Sequence, residues 1–182
     1  MLAALPDFPS GDERVMPDVM TDSGLSLRAA GRSDLLFLRD LYMQTRAAEL
    51  APMPWPQEQK DRFIDDQFAL QHRHYVQQYA DANFLLVMQA EQCIGRLYVR
   101  CTPPDYLIVD IALLPQARRK GRGSTLITAV QRHARDAGCG VTLHVDARNL
   151  GAQRLYHRLG FTVHANNGAY WHLHWPVPTG VN

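Results

Sequence analysis

The chain is poor in cysteine. Only Cys93, Cys101 and Cys139 occur in 182 residues, and none forms a CxxC pair. That excludes the usual spacing of a dithiol redox motif or zinc ribbon, and the odd count fits a reducing cytoplasm. No apolar run approaches the ~20 residues of a membrane-spanning helix. Excess charge is missing too: 19 Lys and Arg face 18 Asp and Glu, for a net charge of +1. A general nucleic-acid binder needs many phosphate contacts, so this balance argues against one. The first twenty residues, "MLAALPDFPSGDERVMPDVM", lack the early positive charge and apolar core of an export signal. They also carry three prolines. Residues 1–22 are therefore expected to form a flexible extension, with one domain over 23–182. No repeat, low-complexity tract or internal linker interrupts that domain.

What is present is a regular alternation of elements. "LSLRAA" (25–30) reads as a strand, and Ser33 as the N-cap of a helix to about Leu50. Leu35, Leu36, Leu38, Leu41 and Tyr42 supply that helix with an apolar stripe. The alternating prolines of "APMPWPQ" (51–57) forbid helix there. A polar helix over about 57–79 follows, with Phe63, Ile64, Phe68 and Tyr75 on one side. Three strands are predicted at 83–90, 93–101 and 105–114, joined by short turns. A helix over 121–137 faces Leu126, Ile127, Val130 and Ala134 inward and stops at Gly138. A strand (141–147), a short helix (150–159) and a hairpin around Asn166-Asn167-Gly168 complete the chain. The order is β-α-α-β-β-β-α-β-α-β-β. Strand 105–114, helix 121–137 and strand 141–147 make a β-α-β unit, so those two strands should be parallel.

Charge is concentrated in one place. "LLPQARRKGRGSTL" (113–126) holds Arg118, Arg119, Lys120 and Arg122, threaded by Gly121 and Gly123. Without these four cations the net charge of +1 would become −3, so the basic character is local. The cluster lies where strand 105–114 turns into the next helix. A helix N-terminus offers free N–H groups and a partial positive charge, glycine lets an anion come close, and arginine adds donors. A phosphate-bearing ligand fits. The stretch is not a Walker loop, since no lysine stands between Gly123 and Ser124. It is not a dinucleotide fingerprint, since Leu126 occupies the place of the third glycine.

Arg118-x-x-Gly121-x-Gly123 resembles the acyl-coenzyme A motif of the GNAT superfamily of N-acetyltransferases. Asn149, Ala152, Leu155-Tyr156 and "RLGF" (158–161) are similar to a second pattern of that superfamily. The two motifs lie on the expected elements, and the likeness runs from about residue 25 to 175. Arg119 departs from the glycine of many members. The resemblance implies an α/β fold with a mixed, mostly antiparallel sheet flanked by helices and a splayed parallel strand pair at the cofactor site. It implies acetyl-coenzyme A as acyl donor and no metal. The amides of Gly121, Arg122, Gly123 and Ser124 would cradle the pyrophosphate, with Arg118, Arg119 and Lys120 near phosphate. The backbone around Ile111–Leu113 would pair with the pantetheine, as would Asn149, a role compatible with capping its helix. Tyr156 would face the coenzyme sulfur and protonate the leaving thiolate.

The base that frees the acceptor amine is open at this level. Asp110 is a carboxylate inside the apolar strand "LIVDIALL", and Glu49 ends the first helix beside the proline loop. Either could serve, or a water relay could. Met53 and Trp55 could line an acceptor pocket or plug the core. His172-x-His174 reads as surface or packing histidines, since no third ligand is evident. The expected function is acetyl transfer to an amine of a small molecule or protein, by direct attack, in the cytoplasm. No nucleic acid or membrane partner is expected, and a homodimer is compatible with the sequence. The alternatives are a non-catalytic acyl-coenzyme A sensor, or an enzyme using another acyl group or a hydroxyl acceptor.

Overall fold

The computed structural model describes residues 4–9 and 24–177. The strands are β1 (Leu25–Ala29), β2 (Asn83–Gln89), β3 (Gln92–Arg100), β4 (Asp105–Leu113), β5 (Gly140–Asp146), β6 (Thr162–Asn166) and β7 (Tyr170–Trp175). The α-helices are α1 (Leu35–Leu50), α2 (Gln57–Gln78), α3 (Arg122–Asp136) and α4 (Leu150–Arg158). All seven strands join one sheet in the order β1-β2-β3-β4-β5-β7-β6. Every pairing is antiparallel except β4 with β5. This is the mixed, mostly antiparallel α/β fold expected, in the expected element order.

Helices cover both faces of the sheet, which is why β2 and β3 read as nearly continuous apolar runs. Alternation sorts their side chains. Leu85, Val87, Leu97 and Val99 join the core beneath α3 and α4, with Leu126, Ile127, Val130, Ala134 and Phe161. Leu86 points the other way, to Leu38, Ile64 and Phe68 of α1 and α2. Phe84 and Tyr98 meet Val76 of α2 on that same face. Fully burying one such side chain stabilises by roughly 1.5–3 kcal/mol, so both layers contribute to holding the sheet.

Three details differ from the sequence reading. α1 starts at Leu35 after a 3-10 turn over Arg32–Asp34, so Ser33 is not its N-cap. The buried Asp34 organises that entry: its carboxylate accepts from Gly31 N at 2.8 Å and from both Arg28 Nη atoms at 2.7 and 2.9 Å. Those Arg28 bonds hold the Asp34 carboxyl below the usual range. Leu36 is 66% exposed and lies off the apolar stripe. Within the stretch read as an extension, residues 4–9 lie against the domain. Leu5 is buried, Phe8 meets Phe84 at a tilt at 5.4 Å, and His72 Nε2 donates to Pro6 O at 2.8 Å. The rest of 1–22 lies outside the described residues apart from these.

Candidate active site

β4 is the strand that makes the site. Its pairing with β3 slips between Tyr98 and Val99, leaving Val109 without a partner residue. A bulge of this kind bends and twists the strand that carries it. On the opposite edge, the parallel ladder to β5 ends one residue earlier, at Ile108↔Leu143. Beyond that point β4 runs on to Leu113 and β5 to Asp146 without pairing, so their facing edges expose backbone groups. A cleft of about 210 Å³ occupies the gap, lined by residues 108–111 of β4 and 143–146 of β5. The splay expected from the resemblance is present.

The cleft passes through the sheet. On one side α4 presents Asn149, Ala152 and Tyr156, which share a helix face through spacings of three and four. On the other side α2 presents Tyr75. Asp110 belongs to that second face, because it stands opposite Tyr98 in the β3–β4 register. Tyr156 and Asp110 therefore look into one gap from opposite layers.

Tyr156 is buried and packs edge-on to tilted against Phe161 at 5.7 Å. Its hydroxyl has no hydrogen-bond partner among the described residues. Burial, with the charge of Asp110 added, pushes its pKa up to about 12. The phenol stays protonated at any physiological pH, as a proton donor must. Ala152, which packs on the core with Leu155 and Leu159, lines the cleft beside Tyr156 as well.

Asp110 sits in a buried polar network that the sequence reading did not assemble. Its Oδ2 accepts from Arg96 Nη2 at 2.6 Å and from Tyr75 Oη at 2.9 Å. Arg96 Nη2 also donates to Gln71 Oε1 at 2.8 Å, and its guanidinium lies over the Tyr98 ring at 5.2 Å. Gln71 and Tyr75 are one helical turn apart, so α2 delivers both to the same point. Burial disfavours the Arg96 charge, but Asp110 more than offsets this and raises its pKa. Burial also pushes Tyr75 well above the phenol range. The sequence signal was available: Arg96 interrupts "CIGRLYVRC" as Asp110 interrupts "LIVDIALL" on the neighbouring strand. Two opposite charges in adjacent apolar strands are a pair in waiting.

Glu49 is placed elsewhere. It is half-exposed at the end of α1, paired with Arg46 at 3.1 Å, and does not line the cleft. Trp55 packs on Phe63 at 5.5 Å and joins the α1–α2 core, outside the cleft lining. His172 and His174 form ring contacts with His144 and His164 on the β5–β7–β6 face. No group of ligands able to hold a metal occurs among the described residues.

At the end of β4 the basic stretch closes over the helix start. Gly121 is the N-cap of α3 at φ 76°, a left-handed backbone that favours glycine, and no side chain caps the helix. The first helical bond is Thr125 N to Gly121 O, leaving the amides of Arg122, Gly123 and Ser124 at the open end. Gly123 lies against α4: a Cβ there would stand 3.5 Å from Leu155. Two of the four cations brace the loop. Arg118 Nε donates to Leu113 O at 2.8 Å, and Arg122 donates to Ala117 O at 3.1 Å and Gln89 Oε1 at 2.5 Å. Arg119 and Lys120 are exposed. Asn149 caps α4, its Oδ1 accepting from Ala152 N at 3.1 Å, while lining the cleft. An uncapped helix start, glycine at its first turn and a strand gap leading from it are a fit for a phosphate-bearing chain that ends in the cleft.

The sequence model of the Acetyltransferase (GNAT) family matches residues 38–161, more than half of the chain. The chain belongs to the GNAT acetyltransferase family. Members use acetyl-coenzyme A, and the chain is accordingly an acyl-coenzyme A-dependent acetyltransferase by family. No curated protein sequence matches it. Solved structures share the fold at low identity. The PaiA N-acetyltransferase of Thermoplasma acidophilum, crystallised with coenzyme A, is 18% identical with a TM-score of 0.64, over 84% of this chain and 98% of that one. A spermidine N-acetyltransferase SpeG chimera from Vibrio cholerae and hSSAT is 22% identical with a TM-score of 0.59, over 85% and 96%. The ribosomal-protein-S18-alanine N-acetyltransferase of Escherichia coli is 16% identical with a TM-score of 0.55, over 87% and 97%. Among the described residues no helix is long and apolar enough to cross a membrane.

Proposed function

We propose that this GNAT protein is an N-acetyltransferase that moves the acetyl group of acetyl-coenzyme A to a primary amine, by direct attack in a ternary complex. The observation that carries the reading is the cleft through the sheet, with Tyr156 on its α4 side and Asp110 on its α2 side. The phosphates would lie on the amides of Arg122, Gly123 and Ser124, with Arg119 and Lys120 free to approach them. The unpaired edge of β4 around Ile111 would receive the pantetheine amides; the Leu113 carbonyl already accepts from Arg118. Bound there, the coenzyme supplies an activated thioester.

The residues of the chain divide the remaining work. Tyr156 Oη holds a proton facing the gap, available to the sulfur as the carbon–sulfur bond breaks. Asp110 faces the acceptor from the opposite layer and takes, directly or through water, the proton that the amine nitrogen loses as the new carbon–nitrogen bond forms; exchange with solvent then returns a proton to Tyr156. Glu49, outside the cleft, takes no part. None of the three cysteines lines the cleft, which supports direct transfer over an acyl-enzyme.

Incubation with acetyl-coenzyme A and a panel of amines and alcohols, followed by mass spectrometry, tests the reading. Acetylated amines are expected. Acetylated alcohols alone would replace the amine by a hydroxyl acceptor. Coenzyme binding without any acetylated product would favour a sensor.

A further inference from the structure

The proton count of the reaction leaves one proton without a taker. A primary amine is mostly an ammonium near pH 7, since α-amino groups titrate at about 7.7–8.0 and alkylamines at about 10.4. An ammonium has no lone pair for attack. One proton must therefore leave before the carbon–nitrogen bond forms, and a second as it forms. Asp110 takes the second on Oδ1, the oxygen left open because Arg96 and Tyr75 both donate to Oδ2. Tyr156 is a donor and takes neither.

His144 stands where the first can be taken. The β4–β5 ladder ends at Ile108↔Leu143, and His144 is the next residue, at the root of the gap. Its neighbours Leu143 and Val145 belong to the core beneath α3 and α4, so its own side chain points to the opposite face. That is the face of Asp110 and Tyr75. His144 lines the cleft and is exposed, and no group among the described residues bonds its ring nitrogens. Asp110 and His144 thus border the acceptor from the two edges of the gap. The ring is held from behind. It lies flat on His172, its partner in the β5–β7 register, with centroids 4.7 Å and planes 12° apart. His164 in turn packs edge-on to His172 at 5.3 Å.

The other groups around His144 are unsuited or occupied. Asp146 accepts from Arg148 Nε, Nη2 and N at 3.1, 2.8 and 2.7 Å, and these bonds lower its pKa to about 2. So acidic a carboxylate holds no proton near neutrality. Tyr75 donates to Asp110, and Tyr170 lies one step along β7, opposite Asp146. Burial and the neighbouring histidines lower the pKa of His172, which keeps the ring under His144 neutral. We propose that His144 is a second catalytic proton acceptor, which takes the first proton of the bound ammonium and releases it to solvent while Asp110 serves bond formation. The balance closes. The ammonium gives one proton to His144 and becomes an amine, whose lone pair forms the carbon–nitrogen bond. The nitrogen loses its second proton to Asp110, the carbon–sulfur electron pair goes to sulfur, and Tyr156 protonates it. Solvent exchange resets the three side chains, and one proton is released per turnover. This inference rests on the N-acetyltransferase reading.

The test compares the full chain with His144→Gln, a change at an exposed position. A wild-type rise in Tm with acetyl-coenzyme A checks the fold and coenzyme site of the variant. Without His144, only the neutral fraction of the amine reacts: about one tenth at pH 7 for an α-amine, and under about a thousandth for an alkylamine. For an accepted primary amine, kcat/KM at pH 7 should therefore fall about tenfold or more. The ratio of wild type to variant should shrink at least about fivefold between pH 7 and 9.5, as the amine loses its first proton unaided. A fluorinated, weakly basic analogue of the same amine, already neutral at pH 7, should lose less than about threefold. A merely structural role would lower both amines alike at every pH. A ratio that does not change with pH, or no loss at all, would overturn the inference and leave the acetyltransferase reading standing, with solvent taking the first proton. Acetylation of no amine by the wild type would overturn both.

Discussion

Replacing Tyr156 by phenylalanine removes one oxygen from the wall of the cleft. The hydroxyl has no hydrogen-bond partner among the described residues, and the ring keeps its contact with Phe161. Stability should therefore change by less than about 1 kcal/mol, because no protein hydrogen bond is lost. The chemical step should change far more. General acid catalysis contributes roughly 10²–10⁴-fold, equivalent to about 2.7–5.4 kcal/mol of barrier. Coenzyme affinity should stay near wild type, since the proton matters as the carbon–sulfur bond breaks. The pH profile carries a second signature. Burial and the Asp110 charge place the Tyr156 pKa at about 12. Ionisation of Tyr156 then produces no alkaline limb below about pH 10, and the profile of Tyr156→Phe should keep the wild-type shape at a lower level. The assay is a rapid-quench single turnover with the acceptor saturating, alongside a thermal melt. A wild-type single-turnover rate in a folded variant would make Tyr156 a packing residue and refute its role as proton donor.

Three further outcomes are expected. Gly121→Asp has open space around the new Cβ but sits at φ 76°, so it should fold with a modest penalty while losing the rise in Tm that acetyl-coenzyme A gives the wild type; an undiminished rise would place the phosphates elsewhere. Trp55→Ala should cost about 2 kcal/mol, below the 3–5 typical of a fully buried ring, without altering acceptor KM; a raised KM at unchanged stability would return Trp55 to the acceptor site. His72 is buried, and burial lowers its pKa below the unfolded value. The unfolded chain then binds more protons, so stability is lost as pH falls below about 6.5. Chemical denaturation between pH 7 and 5 should show a shallower loss for His72→Gln, and parallel curves would assign the loss to other groups such as His172, whose pKa is also lowered.

Periodicity carried the fold because each element had an apolar pattern of its own. α3 shows Leu126, Ile127, Val130 and Ala134 on one face, and all four are buried. The Asn166-Asn167-Gly168 turn was equally legible: Gly168 takes φ 88° and the two asparagine side chains bond the turn backbone. The start of α1 was not, because Ser33 is the better generic cap, while Asp34, held by Arg28 six residues back, bonds Gly31 N and builds the 3-10 turn ahead of the helix. Leu5 and Phe8 escaped for a related reason. A short apolar segment among prolines has no period to detect, and its partners lie on α2 and β2. At the site, residues close in sequence were readable: the glycines at the start of α3, and Asn149 and Tyr156 on α4. The Gln71–Arg96–Asp110–Tyr75 network joins α2, β3 and β4, and only the fold brings it together. Glu49 looked equivalent to Asp110 in the sequence; it is the gap between β4 and β5 that separates them.

The central claim is that donor and acceptor meet within this gap from opposite layers. A crystal structure with a bisubstrate analogue, a primary amine joined through an acetyl bridge to coenzyme A, tests it most directly. The pyrophosphate should lie on the amides of Arg122, Gly123 and Ser124, and the pantetheine between β4 and β5. The sulfur should stand beside Tyr156 Oη and the amine nitrogen beside Asp110 Oδ1, with the acceptor leaving on the α2 side. A pantetheine bound outside the gap, or an amine nitrogen remote from Asp110 with its chain leaving past α4, would contradict the account.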